Sequence, residues 1–234
     1  MKFSIITPAH NSEKTIKRNV LSVLNQSFTD WEHIIVDDGS VDGTFDALKP
    51  FIEKLQPRLR VIKHDIAKQR AFSRNDGMRA AEGEWICWLD ADDYYLPYYL
   101  EVMNQAIEKY PDKKVFNFGG IVTWNKWESQ VRMSKQHLKL EEFKSGDVMS
   151  GGFMFKKECL QQTGFLPETN DPYEFGREMK LRYREVEAMY GDKDDLGNPW
   201  GDDWAMFYML TRHFEPQHIN TSPYIVEIRG ERKL

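Results

Sequence analysis

The stretch Trp85-Ile86-Cys87-Trp88-Leu89-Asp90-Ala91-Asp92-Asp93 joins an unbroken apolar run to three carboxylates in a single turn. A short run with no polar residue reads as a strand buried on both faces, the mark of a sheet covered by helices on each side. Its acids then leave the strand at the carboxyl end, where ligands bind in open parallel sheets. Their mutual repulsion calls for a cation or protons to offset it. Mg²⁺ and Mn²⁺ meet that need with oxygen ligands, commonly taking one or two protein carboxylates and filling the shell with water and substrate phosphate. A solvated acidic turn that caps the next helix is the competing reading of the same string.

Outward from this stretch, strand-like and helix-like segments alternate, the pattern of a parallel sheet with crossover helices. Residues 2–7 form the first expected strand, and Asn11 or Ser12 can cap a helix with Ile16, Val20, Val23 and Leu24 on its apolar face. A second strand spans 31–36, and the turn Asp37-Asp38-Gly39-Ser40 with Gly43 leads into a helix that turns Phe45, Leu48, Ile52 and Leu55 inward. A strand at 59–63 and a polar helix at 69–81, stopped before Gly83, complete the approach to the quoted stretch. Beyond it, Pro97 fits the first turn of a helix with Leu100, Met103, Ala106, Ile107 and Tyr110 inward. Strands at 115–123 and 148–155 lack a crossover helix between them, which predicts a mixed sheet.

Residues 168–200 are charged and broken by Pro172, Gly191, Gly197 and Pro199. Phe175, Met179, Tyr183, Val186 and Tyr190 recur near helical spacing in the middle of that segment, and 192–200 reads as a loop. A helix begins near Asp202 with Trp204, Met206, Phe207 and Leu210 available for packing, and 218–228 reads as a strand. Aromatic residues Trp124, Trp127, Tyr173, Tyr183 and Trp200 could stack on sugar rings or serve the core.

At 234 residues, 41% hydrophobic and 29% charged, the chain suits one α/β domain over 1–234. A net charge of −5 argues against a surface built to neutralise nucleic-acid phosphates. Cys87 and Cys159 sit among apolar residues and read as small hydrophobes in a reducing compartment. The start carries no basic, apolar leader, and the apolar runs fall short of the roughly 20 residues a bilayer span needs, so a cytoplasmic protein is expected. Peripheral contact with a membrane face stays open, and so does the oligomeric state.

Three loops then define a candidate site, because Thr7-Pro8-Ala9, Asp37-Asp38 and Asp90-Ala91-Asp92 all fall at strand carboxyl ends. A carboxylate there could accept the imide N–H of uracil, although guanine also offers an edge N–H. Taken alone, Asp37 and Asp38 are explained better by an ordinary Asp-Gly turn. Between the loops lies Lys68-Gln69-Arg70-Ala71-Phe72-Ser73-Arg74-Asn75-Asp76-Gly77, whose cations could approach a diphosphate or simply face solvent.

The chain resembles the inverting glycosyltransferase family 2, with its GT-A fold. The resemblance rests on Phe3-Ser4-Ile5-Ile6-Thr7-Pro8-Ala9-His10-Asn11, Ile35-Val36-Asp37-Asp38-Gly39-Ser40-Val41-Asp42-Gly43-Thr44, Ser73-Arg74-Asn75-Asp76-Gly77, Ala81-Glu82-Gly83-Glu84-Trp85-Ile86 and Leu89-Asp90-Ala91-Asp92-Asp93. It implies a Rossmann-like nucleotide-binding half over 1–110, and an acceptor-binding half over 111–234 that carries the charged insertion 168–200. It also implies nucleotide contacts from Thr7, Pro8, Asp37, Asp38 and Arg74, with Ala9, Asn11, Arg70, Asn75 and Ala91 in the same donor-binding set. Asp90 and Asp92 are implied to hold Mn²⁺ or Mg²⁺ with the diphosphate.

Looser matches at Gly151-Gly152-Phe153-Met154-Phe155, Thr163-Gly164-Phe165 and Gly201-Asp202-Asp203-Trp204 place Asp202 and Asp203 where the family has a Glu-Asp pair. Asp203 is then the candidate base, with Asp192, Asp194 and Asp195 as rivals and helix capping as the plain alternative. Neither His213 nor His218 clearly matches the family's late histidine. The implied reaction passes a sugar from a nucleoside-diphosphate donor, UDP favoured, to a carbohydrate or glycolipid hydroxyl. A nucleotidyltransferase would want a glycine-rich phosphate cradle that Thr7-Pro8-Ala9-His10 lacks, and a non-catalytic binding domain would keep the fold alone.

Overall fold

The computed structural model describes residues 1–123, 129–132, 152–169, 174, 177–179, 182 and 202–227. Strands β1 (Phe3–Ala9), β2 (Trp31–Asp38), β3 (Leu59–His64) and β4 (Trp85–Trp88) alternate with helices α1 (Ile16–Leu24), α2 (Thr44–Leu55) and α3 (Arg70–Ala80). All adjacent pairs among these strands are parallel. A short β5 (Tyr94–Tyr95) and α4 (Tyr99–Lys109) follow. Further on come β6 (Val115–Phe118), β7 (Gly120–Thr123), β8 (Ser129–Arg132), β9 (Phe153–Lys156), α5 (Leu160–Thr163), α6 (Asp202–Thr211), β10 (Gln217–Ile219) and β11 (Tyr224–Glu227).

The large sheet has the order β10-β6-β9-β4-β1-β2-β3, with β9 antiparallel to both β4 and β6. This is the mixed sheet that the missing crossover predicts. Both faces are covered. Ile6, Ile34, Val36, Ile86, Trp88, Phe153 and Phe155 pack on one side with Met78 of α3 and the buried run 205–210 of α6. Phe3, Ile5, Trp85, Cys87, Phe116 and Met154 pack on the other with Tyr99, Leu100 and Met103 of α4. Double burial explains the apolar continuity of β4 and its near absence of period-two alternation. Both cysteines are buried and free, and burial pushes the Cys87 thiol up to about 12 and the Cys159 thiol up to about 11.

Several boundaries differ from the sequence reading. The expected strand 115–123 divides at Gly119, whose N–H donates to the Thr221 carbonyl at 2.9 Å. The expected tail strand 218–228 divides as well, so that β6 and β10 pair in the large sheet while β7 and β11 pair in a small one ordered β5-β11-β7-β8. β6 is buried on both faces, and such a strand carries no periodicity to mark where the chain changes sheet at Gly119. Asn11 does not cap α1, which begins after Thr15 with the Ser12 carbonyl accepting from the N–H groups of Thr15 and Ile16. Leu24 lies at the exposed end of α1, and Asn19 joins Ile16, Val20 and Val23 on its buried face. In α2, Leu48 is buried while Phe45, Ile52 and Leu55 are only partly covered. Most of 168–200, the assumed stretch 148–151 and the aromatic residues Trp124, Trp127, Tyr173, Tyr183 and Trp200 lie outside the described residues.

Two buried titratable groups of β2 tie the fold to pH. The Glu32 carboxylate accepts from the Ser4 hydroxyl at 2.6 Å and from the N–H groups of Glu82 and Gly83 at 2.6 and 3.0 Å, and it pairs with Arg60. Burial opposes its charge, but these donors together hold it below its ordinary value. The His33 ring is fully buried, and burial pushes its pKa down to about 3. For both groups the unfolded chain therefore binds protons that the native fold refuses. Stability should decline as pH falls below the ordinary histidine value of 6.5, and further below the ordinary glutamate value of 4.5. Urea midpoints are expected to drop between pH 7 and pH 5, and His33→Gln should flatten that slope. An equal midpoint at the two pH values in the unaltered protein contradicts the assignment.

Candidate active site

Register brings the candidate loops to one edge. Ala9 of β1 stands beside Asp37 of β2, and Ile6 stands beside Trp88 of β4, so the turns after all three strands leave the sheet on the same side. Thr7 is buried and its Oγ1 shares a hydrogen bond of 2.9 Å with His33 Nε2. Ala9 and Ala91 belong to one apolar cluster with Ile16, Val20 and Ile35, so they form the floor beneath this edge instead of offering polar contacts. Pro8 lies in β1 between Thr7 and Ala9 and is buried too. Asn11, at φ +48°, is exposed: its N–H donates to Ser40 Oγ and its Oδ1 accepts from the Val41 N–H, both at 3.0 Å. It staples the first loop to the second.

The paired aspartates have different tasks. Asp37 Oδ1 accepts from the Ser40 N–H at 3.2 Å, whereas its Oδ2 is buried with no hydrogen-bond partner among the described residues. Asp38 is occupied by the protein itself. Its Oδ1 accepts from His64 Nδ1 at 2.7 Å and the Lys68 N–H at 2.8 Å, and its Oδ2 accepts from the Gln69 N–H at 2.9 Å. Gln69 has φ +86°, a conformation that costs energy in a non-glycine residue and persists only where its surroundings enforce it. Asp38 thus anchors the strained entry to α3. His64 Nε2 faces Asp76 Oδ2 at 2.9 Å, which ties the same anchor to the middle of the helix. Asp38, expected as a nucleotide contact, has this anchoring role within the protein, with three donors on its two oxygens.

What the anchor delivers is Arg74. Its guanidinium is fully buried, stacked 4.1 Å over the Trp88 ring, with Nη2 donating to Asp90 Oδ1 at 2.7 Å and Nη1 lying 2.8 Å from Asp202 Oδ2. Arg70 Nε lies 3.0 Å from Asp202 Oδ1. Neither Asp202 oxygen meets hydrogen-bond alignment, so these last two contacts are ionic. Burial works against the charge on Arg74, but Asp202, Asp90 and Asp203 hold it protonated more firmly than an ordinary arginine. Burial raises the Asp202 carboxyl even with Arg74 and Arg70 beside it, and Asp203 and Asp90 push in the same direction. α3 reaches this position because Gly77 lets it lie on β1: a Cβ there would stand 2.4 Å from Ile6 Cγ2.

Not every predicted residue joins the cluster. Asn75 Nδ2 donates to the Leu166 carbonyl and Glu168 Oε1 at 2.9 Å each, and its Oδ1 accepts from the Leu166 N–H at 3.1 Å. Its amide binds α3 to residues 166–168. Asp203, half-buried in the first turn of α6, lies close enough to influence both Arg74 and Asp202. The rival acids Asp192, Asp194 and Asp195 fall outside the described residues.

The acidic turn itself is held by its backbone. Asn19 Nδ2 donates to the carbonyls of Asp90 and Asp93 at 2.9 and 3.2 Å, and Arg18 Nη2 donates to the Asp92 carbonyl at 2.7 Å. Neither α1 residue was singled out from the sequence, although a polar amide inside the apolar stripe Ile16, Val20, Val23 is a detectable signal. Among the described residues, no group of three or more His, Cys, Asp or Glu side chains could by itself hold a metal ion. An Asp-X-Asp turn of hard oxygen donors nevertheless suits Mg²⁺ or Mn²⁺ when a diphosphate completes the shell. The residues fit a cation shared with a substrate.

Comparison with known proteins adds the following. The model of "Glycosyl transferase family 2" matches residues 4–164. A glycosyltransferase of Haemophilus influenzae, described as uncharacterized, is 32% identical over 213 residues, covering 89% of this chain and 60% of its own length. The Escherichia coli UDP-Glc:alpha-D-GlcNAc-diphosphoundecaprenol beta-1,3-glucosyltransferase WfgD is 32% identical over 125 residues, 51% of this chain and 48% of its own. The crystal structure of S. aureus TarS 1-349 in complex with UDP superposes with a TM-score of 0.71 at 22% identity, covering 97% of this chain and 61% of that one. The chain therefore spans roughly half to three-fifths of the length of these proteins.

Removal of one partner from a buried ion network leaves uncompensated charge, which costs about 3–5 kcal/mol. Arg74→Met should lose that amount in urea unfolding, because Asp90 would lose its guanidinium partner and buried Asp202 would keep Arg70 alone. Adding Asp202→Asn should restore part of the loss. A single-variant loss under about 1 kcal/mol would show that the guanidinium does not carry the site's charge balance.

Proposed function

The chain belongs to glycosyl transferase family 2, and from that membership we propose that it moves a sugar from a UDP-sugar to a hydroxyl of a carbohydrate or glycolipid acceptor, with inversion and with help from a divalent cation. The observation that supports this reading is Arg74, which joins the acidic turn after β4 to the head of α6 and so gathers carboxylates from both around one charge. The printed names of WfgD and of the TarS complex, which include UDP-Glc and UDP, support the choice of uridine donor.

Under this proposal Thr7, Pro8 and Asp37 line the base and ribose end. The unpartnered Asp37 Oδ2 is the acceptor suited to an imide N–H. Arg70 and Arg74 oppose the negative charge of the diphosphate. Asp90 and Asp92 would hold Mn²⁺ or Mg²⁺, which offsets the charge that develops on the leaving diphosphate. Asp202, fixed between two arginines, orients the head of α6 and is not itself the base. Asp203 takes the proton of the acceptor hydroxyl as that oxygen bonds to the anomeric carbon. The bond to the diphosphate breaks on the opposite side and its electron pair leaves with the phosphate, so a single displacement inverts the centre.

Thermal-shift measurements with UDP-, GDP-, dTDP- and CDP-sugars, each with and without Mn²⁺, should show the largest stabilisation for a UDP-sugar with metal. Asp203→Asn is expected to keep UDP affinity while transfer falls by ~10²-fold or more, the scale of losing a general base. Near-normal turnover in that variant removes Asp203 from the role. No metal-dependent shift with any nucleotide sugar would sink the enzymatic reading as a whole.

A further inference from the structure

We infer that Asn19 is a positioning residue for the acidic turn, fixing its backbone so that Asp90 and Asp92 present their carboxylates to a cation-bound diphosphate; this rests on the donor-site reading above. Asn19 is fully buried on the apolar face of α1, where an amide costs stability unless its hydrogen bonds are made. It makes two from one nitrogen, to the carbonyls of Asp90 and Asp93. Those are the two ends of a tight turn already closed by the Asp93 N–H donating to the Asp90 carbonyl at 2.9 Å. Arg18, whose guanidinium lies 4.5 Å over the Tyr94 ring, takes the carbonyl between them, that of Asp92. α1 thereby grips the turn by its carbonyls, with no call on the carboxylates for these contacts.

The same helix and the residues just past its end continue the pattern away from the turn. Ser22 Oγ accepts from the Tyr95 N–H at 3.2 Å. Gln26 donates to the Leu96 carbonyl at 2.8 Å and accepts from the Leu100 N–H at 2.9 Å. Residues 19 and 22 share one face of α1 and Gln26 lies just past its C-terminal end, so the row supplies partners to a segment that is mostly outside the sheets. Position along the row separates two roles. Gln26 holds the start of α4 and serves stability, whereas Asn19 holds the turn that carries Asp90 and Asp92. Groups that orient metal ligands from behind typically contribute 10–100-fold to metal affinity.

The test is calorimetry of UDP binding with and without Mn²⁺ on the full chain and on Asn19→Leu, Arg18→Met and Gln26→Met, alongside their unfolding midpoints. Asn19→Leu is expected to lose ~10–100-fold of the Mn²⁺-dependent gain in affinity, while Gln26→Met keeps the gain despite a lower midpoint. If Asn19→Leu does not fold, Arg18→Met, altered at an exposed side chain, carries the same expectation in a milder form of ~3–10-fold, below the range typical of groups that orient a ligand directly. Full retention of the gain in Asn19→Leu, or in Arg18→Met where that variant stands in for it, overturns the inference. So does an equal loss in Gln26→Met, because the effect would then follow general stability. Absence of any Mn²⁺-dependent UDP binding in the unaltered protein removes the donor-site reading itself, and the positioning role with it.

Discussion

A guanidinium with no exposure to water needs carboxylates around it, and this requirement at Arg74 organises the molecule. Desolvating an arginine is costly, so Asp90 and Asp202 must both be present for the buried charge to be tolerated. Trp88 beneath it adds the face of an aromatic ring. These three partners come from the end of β4, the turn after it, and a helix more than a hundred residues later. The arrangement therefore couples the packing of α6 on the sheet to the shape of the acidic turn. It also explains why α3 is so polar for a helix pressed against a central sheet: Ser73, Arg74 and Asn75 are all buried and all face specific partners.

The division of labour between Asp37 and Asp38 follows from the same economy of partners. Adjacent residues at the end of a strand point to opposite faces. One carboxylate is consumed in holding a backbone conformation that Gln69 would not adopt alone, and the other keeps an oxygen uncommitted. His64 links the first of these to Asp76, so the entrance and the middle of α3 are registered against one point on β2.

Much of this was readable from residues in order. The continuous apolar run of β4, the alternation before it and the acidic turn predicted the parallel half of the sheet, and the missing crossover predicted its mixed continuation. Thr7, Asp37, Arg70, Arg74, Asp90 and Asp202 do come to one edge of the sheet. What the residues did not reveal was partner choice. Nothing local says that Asp38 will be claimed by three internal donors, or that Asn75 will bind residues 166–168, because those contacts depend on where distant segments settle. The bend at Gly119 was hidden for a different reason: a doubly buried strand such as β6 has no polar side whose reversal would announce a change of sheet. Asn19 was the missed clue, an amide set in a stripe of aliphatic residues.

The small sheet has an effect on the order in which the polypeptide can mature. β5 begins immediately after Asp93, and its partner is β11, with Tyr95 beside Tyr224 and the Leu96 N–H donating to the Pro223 carbonyl at 3.0 Å. During synthesis, the flank of the acidic turn must wait for a strand made some 130 residues afterwards. A nascent polypeptide that has released only its parallel half thus has α1 holding the acidic turn, while β5 on its flank still lacks the strand it pairs with.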